Sequence, residues 1–218
     1  MSHYKRNQVE ESIAATLQKA GAEPAADLRI RMKRLLETDR ALATDDAAGG
    51  LLRPAYAFYT GAAPGRGVEV WFSAYEAFAL FLGVLLQQHR WPQGTAVRIL
   101  RQARPKLEPE HARILALAPD RLFDEVRVRR RMTRGRPAFE TNNPSFLAIA
   151  TAWGSRADAD AAPHALAVCA GEEELMKFRR RNAPAGSSMT VLELTAPAHR
   201  LAACLDQTKP KTRGRAAR

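Results

Sequence analysis

The chain opens on two stretches in which apolar residues recur at helical spacing. The first carries one apolar stripe made of Val9, Ile13, Leu17 and Ala20. Asn7 and Glu10 have the spacing of a capping box, which predicts that this helix begins near Asn7. The second stretch covers residues 25–43, and its apolar positions are Leu28, Met32, Leu35, Leu36 and Leu42. Two helices are therefore predicted before a loop at residues 45–54.

A β-hairpin is predicted next. Two runs of β-prone residues, Tyr56–Tyr59 and Val68–Phe72, flank a turn at residues 61–67 that holds three glycines and a proline. Glycine allows the positive φ that a tight reversal needs, and proline fixes φ at a turn corner. The pattern places Arg66 at the tip of the hairpin, and Ser73 is then a suitable N-cap for the following helix.

The remaining elements divide into a helical part and a mixed part. A helix at residues 74–90 is apolar almost all round, which predicts a central core helix. A helix at 93–104 is expected to break at Pro105, with a further short helix at 109–117. After an arginine-rich stretch, three predicted strands (146–153, 165–169 and 190–194) alternate with helices at 171–181 and 197–205, as in a small α/β domain.

These elements predict an α+β protein. Residues 1–119 form a mostly helical winged-helix-like domain with a β-hairpin wing, and residues 120–137 form an arginine-rich linker. Residues 138–206 form the small α/β domain, and residues 207–218 form a basic disordered tail. The order of helices, hairpin and helices is that of a winged helix-turn-helix, in which the hairpin contacts nucleic-acid backbone beside the helix that reads the groove.

The net charge of +11 is concentrated in two segments. Residues 124–136 carry six arginines against two acids, and residues 207–218 carry five basic residues and no acid. A basic face on the nearly neutral body must therefore arise by segregation of charge. The longest apolar run is half of what a bilayer crossing requires, and Cys169 and Cys204 form no framework of bridges. A cytoplasmic, nucleoid-associated protein with no membrane partner is expected.

The second helix carries the best candidates for DNA contacts. A spacing of four and seven residues puts three cations on one flank: Arg29, Lys33 and Arg40. Arg34 lies further round the same helix. The alternative interpretation is an ordinary solvated face on which Glu37 and Asp39 balance the positive charge.

Two other segments add candidate contacts. Arg66 stands between glycines, where no structural role is evident for it. Arg134-Gly-Arg136-Pro matches the core of an AT-hook, whose arginines enter a narrow minor groove. Thr133 and Ala138 depart from the fuller pattern of that motif. A charged linker that contacts phosphates is therefore the competing interpretation for Arg134 and Arg136.

Other features are assigned to structure rather than to chemistry. The aromatic residues of the hairpin region are expected in the core, with a base-stacking platform as the alternative: Tyr56, Phe58, Tyr59, Trp71 and Phe72. The acids and bases at opposite ends of residues 171–181 suit the helix dipole, so stability explains them. The scattered histidines, and the lack of a phosphate loop or nucleophile motif, predict no catalytic site, no metal site, no cofactor and no enzyme.

Residues 4–104 resemble the MerR-type winged-helix transcriptional regulators. The resemblance rests on Tyr4 followed by Val9, on Trp71-Phe-Ser73, on Glu76 and on the turn from Arg90 into the helix at 95–101. Residues 31–34, Arg-Met-Lys-Arg, replace the arginine–tyrosine pair of that family. Pro105 and Pro109 interrupt the position of its long dimer-forming helix.

The resulting expectation is a bacterial transcriptional regulator that binds double-stranded DNA through the second helix and the hairpin wing. The C-terminal domain is expected to form a homodimer, sense a ligand or bind a partner protein. Two alternatives stay open: a non-catalytic RNA- or protein-binding assembly module, and an enzyme with its site in the C-terminal domain. Salt-dependent binding to duplex DNA separates the first alternative from the regulator.

Overall fold

The computed structural model describes residues 3–17, 24–48, 56–61, 69–123, 125, 126, 129, 141–151, 165–183 and 187–211. Its helices are α1 (Arg6–Leu17), α2 (Ala26–Ala48), α3 (Ala74–Gln88), α4 (Gln93–Ala116), α5 (Pro119–Leu122), α6 (Glu172–Asn182) and α7 (Thr195–Gln207). Its strands are β1 (Tyr4–Lys5), β2 (Trp71–Phe72), β3 (Ser145–Thr151), β4 (Ala165–Ala170) and β5 (Ser188–Glu193). Helices combined with small antiparallel sheets confirm the α+β class.

The contacts between residues group the chain into two compact units. The first consists of Met1–Val84 and Leu201–Arg218, and the second of Leu85–Arg200. The boundaries fall within α3 and within α7. Because α4 packs on β4, residues before position 119 share a unit with the C-terminal sheet. The division into domains at 1–119 and 138–206 stays a prediction, and the contacts group the chain differently.

In the first unit, β2 pairs with β1 and not with residues 56–59. The ribbon is antiparallel, with Tyr4 opposite Phe72 and Lys5 opposite Trp71. The predicted strand Tyr56–Tyr59 is wrong, because these residues form a bend without strand pairing. Residues 62–67 of the turn predicted at 61–67 lie outside the described residues, so the tip of the wing is not described.

The side chain of Asp39 explains why residues 57 and 58 do not join a sheet. Its carboxylate is completely buried and accepts hydrogen bonds from the backbone nitrogens of Ala57 (3.1 and 3.0 Å) and Phe58 (3.0 Å). A buried backbone donor needs a partner, and here α2 supplies one in place of a neighbouring strand. Asp39 therefore does not lie on the solvated face to which the alternative interpretation assigned it.

Local capping sets the starts of the helices in this unit. The backbone nitrogen of Lys5 donates to Gln8 Oε1 (3.0 Å), so α1 begins at Arg6, one residue before the predicted start. The N-cap predicted at Ser73 is confirmed: its backbone nitrogen donates to Glu76 Oε2 (2.7 Å), and its Oγ accepts from the nitrogen of Glu76 (3.2 Å). This reciprocal pair is a capping box.

Helix α4 runs without interruption through Pro105 and Pro109, so the predicted break at Pro105 is wrong. A proline inside a helix removes one hydrogen bond and costs roughly 3 kcal/mol. Here apolar contacts offset that cost, since one face of the helix is buried along its whole length: Val97, Leu100, Ala103, Leu107 and Ile114. Tertiary packing therefore outweighs the local preference.

In the second unit, three strands form an antiparallel sheet in the order β4-β3-β5. The predicted strands are confirmed to within a few residues, but the α/β description is not, because the described strands β3, β4 and β5 pair only in antiparallel fashion. The central strand β3 is buried throughout. Since side chains alternate between the faces of a sheet, Phe146 and Ala148 point towards Phe178 of α6, while Ser145 points towards α4.

Candidate nucleic-acid interface

Helix α2 separates an apolar side from a basic side. Leu28, Met32 and Leu35 are buried at helical spacing, and the opposite side is exposed. Four cations stand on that exposed side, and we call them the α2 basic surface: Arg29, Arg31, Lys33 and Arg34. Arg31 is the member that sequence reasoning missed, although its position between two predicted contacts was visible.

The acidic residues of α2 are distributed so that its N-terminal half is positive. Within residues 26–34, Asp27 is the single acid, and it lies 3.5 Å from Arg31. Glu37 lies 3.7 Å from Lys33, one turn further on. Both pairs are exposed, so each contributes little and leaves its cation accessible to another anion. Asp39 is buried and does not lie on this surface.

An exposed apolar side chain lies at the centre of the basic surface. Ile30 is 49% exposed, and at helical spacing Arg29 and Lys33 lie on one side of it and Arg31 and Arg34 on the other. A single exposed aliphatic side chain is common and by itself indicates no function. Here, however, the residues around Ile30 are cationic. Such a side chain suits contact with a thymine methyl group, whereas the cations suit phosphates or guanine edges.

Arg40 is held differently from the other predicted contacts on α2. Its guanidinium donates to Tyr59 Oη (3.1 Å) and lies 5.4 Å from the centroid of the Tyr59 ring. Burial raises the pKa of Tyr59, and the neighbouring Arg40 opposes that shift. Arg40 therefore links α2 to the segment at residues 56–59, and a direct role in binding stays a prediction.

The aromatic residues near the β-ribbon divide into a core set and one exposed member. Phe58, Tyr59 and Phe72 are buried as expected, and Tyr56 is half-buried. For Trp71 the expectation of a core position is wrong, because 46% of its surface is exposed. The ammonium of Lys5 lies 5.2 Å from its ring centroid and 2.8 Å from Glu69 Oε1. The exposed side of the β1–β2 ribbon thus presents the indole of Trp71 beside the ion pair of Lys5 and Glu69.

Three predicted contacts, Arg66, Arg134 and Arg136, lie outside the described residues, as do residues 212–218 of the tail. The start of the tail is held on α1: Gln8 Nε2 donates to the carbonyl of Thr208 (2.6 Å), and Lys211 lies 2.7 Å from Glu11. Residues 207–211 are therefore held on α1, in the unit that contains the α2 basic surface.

The second unit contains a polar cluster around Ser145, which is completely buried. Ser145 Oγ donates to Glu110, and Arg113 donates to both Ser145 Oγ (3.0 Å) and Glu110 (2.7 and 2.8 Å). The hydrogen bond from Arg113 holds the pKa of Glu110 below its usual range. Because Ser145 is buried and the three side chains bond to one another, the cluster joins α4 to β3 and has a structural role.

Two further titratable groups in this unit, His111 and Cys169, are buried. Burial lowers the pKa of His111 to about 4, with a further contribution from His199, and burial raises the pKa of Cys169 to about 11. A thiol with so high a pKa is unreactive near neutral pH. Within the described residues, no group of three or more His, Cys, Asp or Glu side chains could hold a metal ion. No described helix combines the length and hydropathy needed to cross a bilayer.

Comparisons with known proteins found no match to a family model, to a curated protein or to a solved structure. The resemblance to MerR-type regulators therefore stays a prediction.

Proposed function

We propose that the protein binds double-stranded DNA through the α2 basic surface and acts as a transcriptional regulator. The observation that carries the proposal is the segregation of charge on α2. Four exposed cations share residues 26–34 with one acid, while Asp39 is buried. A helix about 10–12 Å wide fits the major groove of B-DNA, which is about 12 Å wide.

The charges have a specific physical role in this proposal. Each cation that neutralises a phosphate releases condensed counterions, which favours binding and makes it sensitive to salt. The positive end of the helix dipole adds to the field, since the cations stand in the N-terminal half of α2. In residues 207–218, Lys211 is paired with Glu11, and the four other cations supply attraction that does not depend on sequence.

The wing is a separate part of the proposal. In the winged-helix interpretation, Arg66 contacts backbone beside the helix in the groove. Because β2 pairs with β1 and not with residues 56–59, Arg66 in this proposal acts from the segment that precedes β2 and not from the two-stranded hairpin expected from the sequence. The contribution of α2 does not require the wing, so variants of α2 test it by itself.

Fluorescence anisotropy with a labelled DNA duplex tests the role of α2. Arg29→Ala and Arg34→Ala are each expected to weaken binding by roughly three- to tenfold, because each removes one charged contact. Lys106→Ala is the matched control, since it removes an exposed cation from α4. An equal effect of all three variants would overturn the assignment of α2. Preferential binding of single-stranded RNA would instead support the assembly module.

A further inference from the structure

Helix α6 has a symmetric arrangement of charge on its exposed side. Its first turn contains Glu172–Glu174, and its last turn contains Arg179–Arg181. Phe178 is the buried residue of the helix. On the side away from Phe178, an exposed stripe runs at spacings of three and four residues: Glu173, Met176, Lys177 and Arg180. Acid and base therefore stand at opposite ends of one stripe, at equal distances from its centre.

The exposed centre of this stripe consists of Met176 and Lys177, and Lys177 is ion-paired with Glu173. Met176 is 41% exposed, in a helix whose other outward residues are almost all charged. The helix packs on β4 and β3, and on the same side of the sheet Met189 and Val191 of β5 are only partly buried. Methionine is a flexible apolar side chain that adapts to a partner surface. The apolar contact area on the stripe itself is therefore that of Met176.

We propose that this side of α6 is the docking surface for a second copy of the chain. The two α6 helices lie antiparallel, and a two-fold axis passes between Met176 and Lys177. Glu173 of one copy then faces Arg180 of the second copy, and the same pair forms again on the other side of the axis. A two-fold interface uses the same surface on both copies, so a self-complementary stripe is what it requires.

Charge complementarity selects this orientation. A parallel arrangement would place Glu173 against Glu173 and Arg180 against Arg180, and like charges in an interface are repulsive. The antiparallel arrangement converts both contacts into attractions. Exposed ion pairs contribute only about 0–1 kcal/mol each, so the apolar area supplies most of the attraction and the charges fix the register.

The helix dipole explains part of the sequence but not all of it. Acids in the first turn and bases in the last stabilise an isolated helix, and Glu173 already lies 2.7 Å from Lys177. Neither effect calls for a methionine exposed between the two charged ends. The α6 helix is about 16 Å long, so a helix pair alone buries less than the ~1,200 Å² of a stable interface. The interface is therefore small, so a weak dimer is expected, populated at concentrations towards about 100 μM.

Analytical ultracentrifugation of the full chain from 1 to 100 μM, in nucleic-acid-free buffer, tests the proposal independently of DNA binding. The native chain is expected to show a monomer–dimer equilibrium. Glu173→Arg and Arg180→Glu are each expected to weaken it at least about tenfold, since each turns two attractions into repulsions. The double variant E173R/R180E restores both attractions and is expected to recover the dimer.

Glu37→Arg is the matched control. It reverses the same charge and breaks a similar exposed pair, Glu37–Lys33, but on α2. It is expected to leave dimerisation unchanged, and circular dichroism of each variant reports whether α6 remains folded. A chain that is monomeric at 100 μM would overturn the proposal. So would a dimer that is insensitive to both single reversals, or a double variant that does not recover.

Discussion

The carboxylate of Asp39 in α2 accepts a hydrogen bond from the backbone nitrogen of Phe58 at a distance of 3.0 Å, and both residues are completely buried. The same carboxylate also accepts from Ala57. The buried side chain of Asp39 thereby holds residues 57 and 58 against α2. It also keeps Asp39 off the exposed side of α2, where the cations outnumber the acids within residues 26–34.

Replacing Asp39 by alanine is expected to lower the free energy of unfolding by roughly 3 kcal/mol or more. The reason is that the backbone donors of Ala57 and Phe58 lose their partner while they stay buried. Urea denaturation followed by circular dichroism measures the change. Glu37→Ala, an exposed acid on the same helix, is expected to change stability by less than about 0.5 kcal/mol. Equal effects of the two variants would contradict this role.

Replacing Arg90 by glycine is expected to stabilise the protein by about 0.5–1 kcal/mol. Arg90 has φ 67°, the left-handed conformation that glycine adopts without strain. It ends α3 in a Schellman motif, because its nitrogen donates to Gln87 and the nitrogen of Trp91 donates to Leu86. The melting temperature should rise in R90G and fall in Arg90→Val. A lower melting temperature for R90G would refute the assignment.

Stability is expected to decrease in acid because of His111. Its pKa is about 4 in the folded protein, where burial disfavours the charged imidazolium, against 6.5 for an ordinary histidine. Between these values the unfolded chain binds a proton that the native state does not. About 3 kcal/mol of stability, fully present above pH 6.5, is therefore lost as the pH falls to 4.

Denaturation of the native chain and of His111→Gln at pH values from 7.5 to 4 measures this contribution. The variant is expected to lose less stability over the same interval, since glutamine does not titrate. Glu110 and Arg113 on α4 and the neighbouring His199 remain in both proteins, so the difference reports the loss of the His111 imidazole. Parallel stability curves would show that His111 titrates normally.

Removing the hydroxyl of Ser73 is expected to cost about 1 kcal/mol, because the backbone nitrogen of Glu76 loses its capping partner. Ser73→Asp retains an acceptor at the same position and should keep most of the stability. Thermal unfolding of both variants measures the difference. If the alanine variant melted with the native chain, the capping box would contribute nothing to folding.

The helices were largely predictable because their determinants are local. The apolar stripes of α1 and α2 and the N-cap at Ser73 depend on residues within a few positions of one another. The basic residues of α2 could be recognised for the same reason. Their exposure follows directly once Leu28, Met32 and Leu35 are placed in the core.

The errors arose where distant residues decide the structure. Residues 56–59 have the composition of a strand, but Asp39, nearly twenty positions earlier, binds their backbone. Pro105 is a local helix breaker, yet packing on both sides of it keeps α4 continuous. Trp71 was expected in the core from its type, but the ribbon register turns it outward beside Lys5.

The salt dependence of duplex DNA binding tests the central claim most directly. The slope of log K against log salt should be measured for the native chain, for Arg29→Ala/Arg34→Ala and for Lys106→Ala. The double variant is expected to reduce the slope by about two, roughly one for each lost phosphate contact, while the control keeps the native value. A native slope in the double variant would contradict binding through α2.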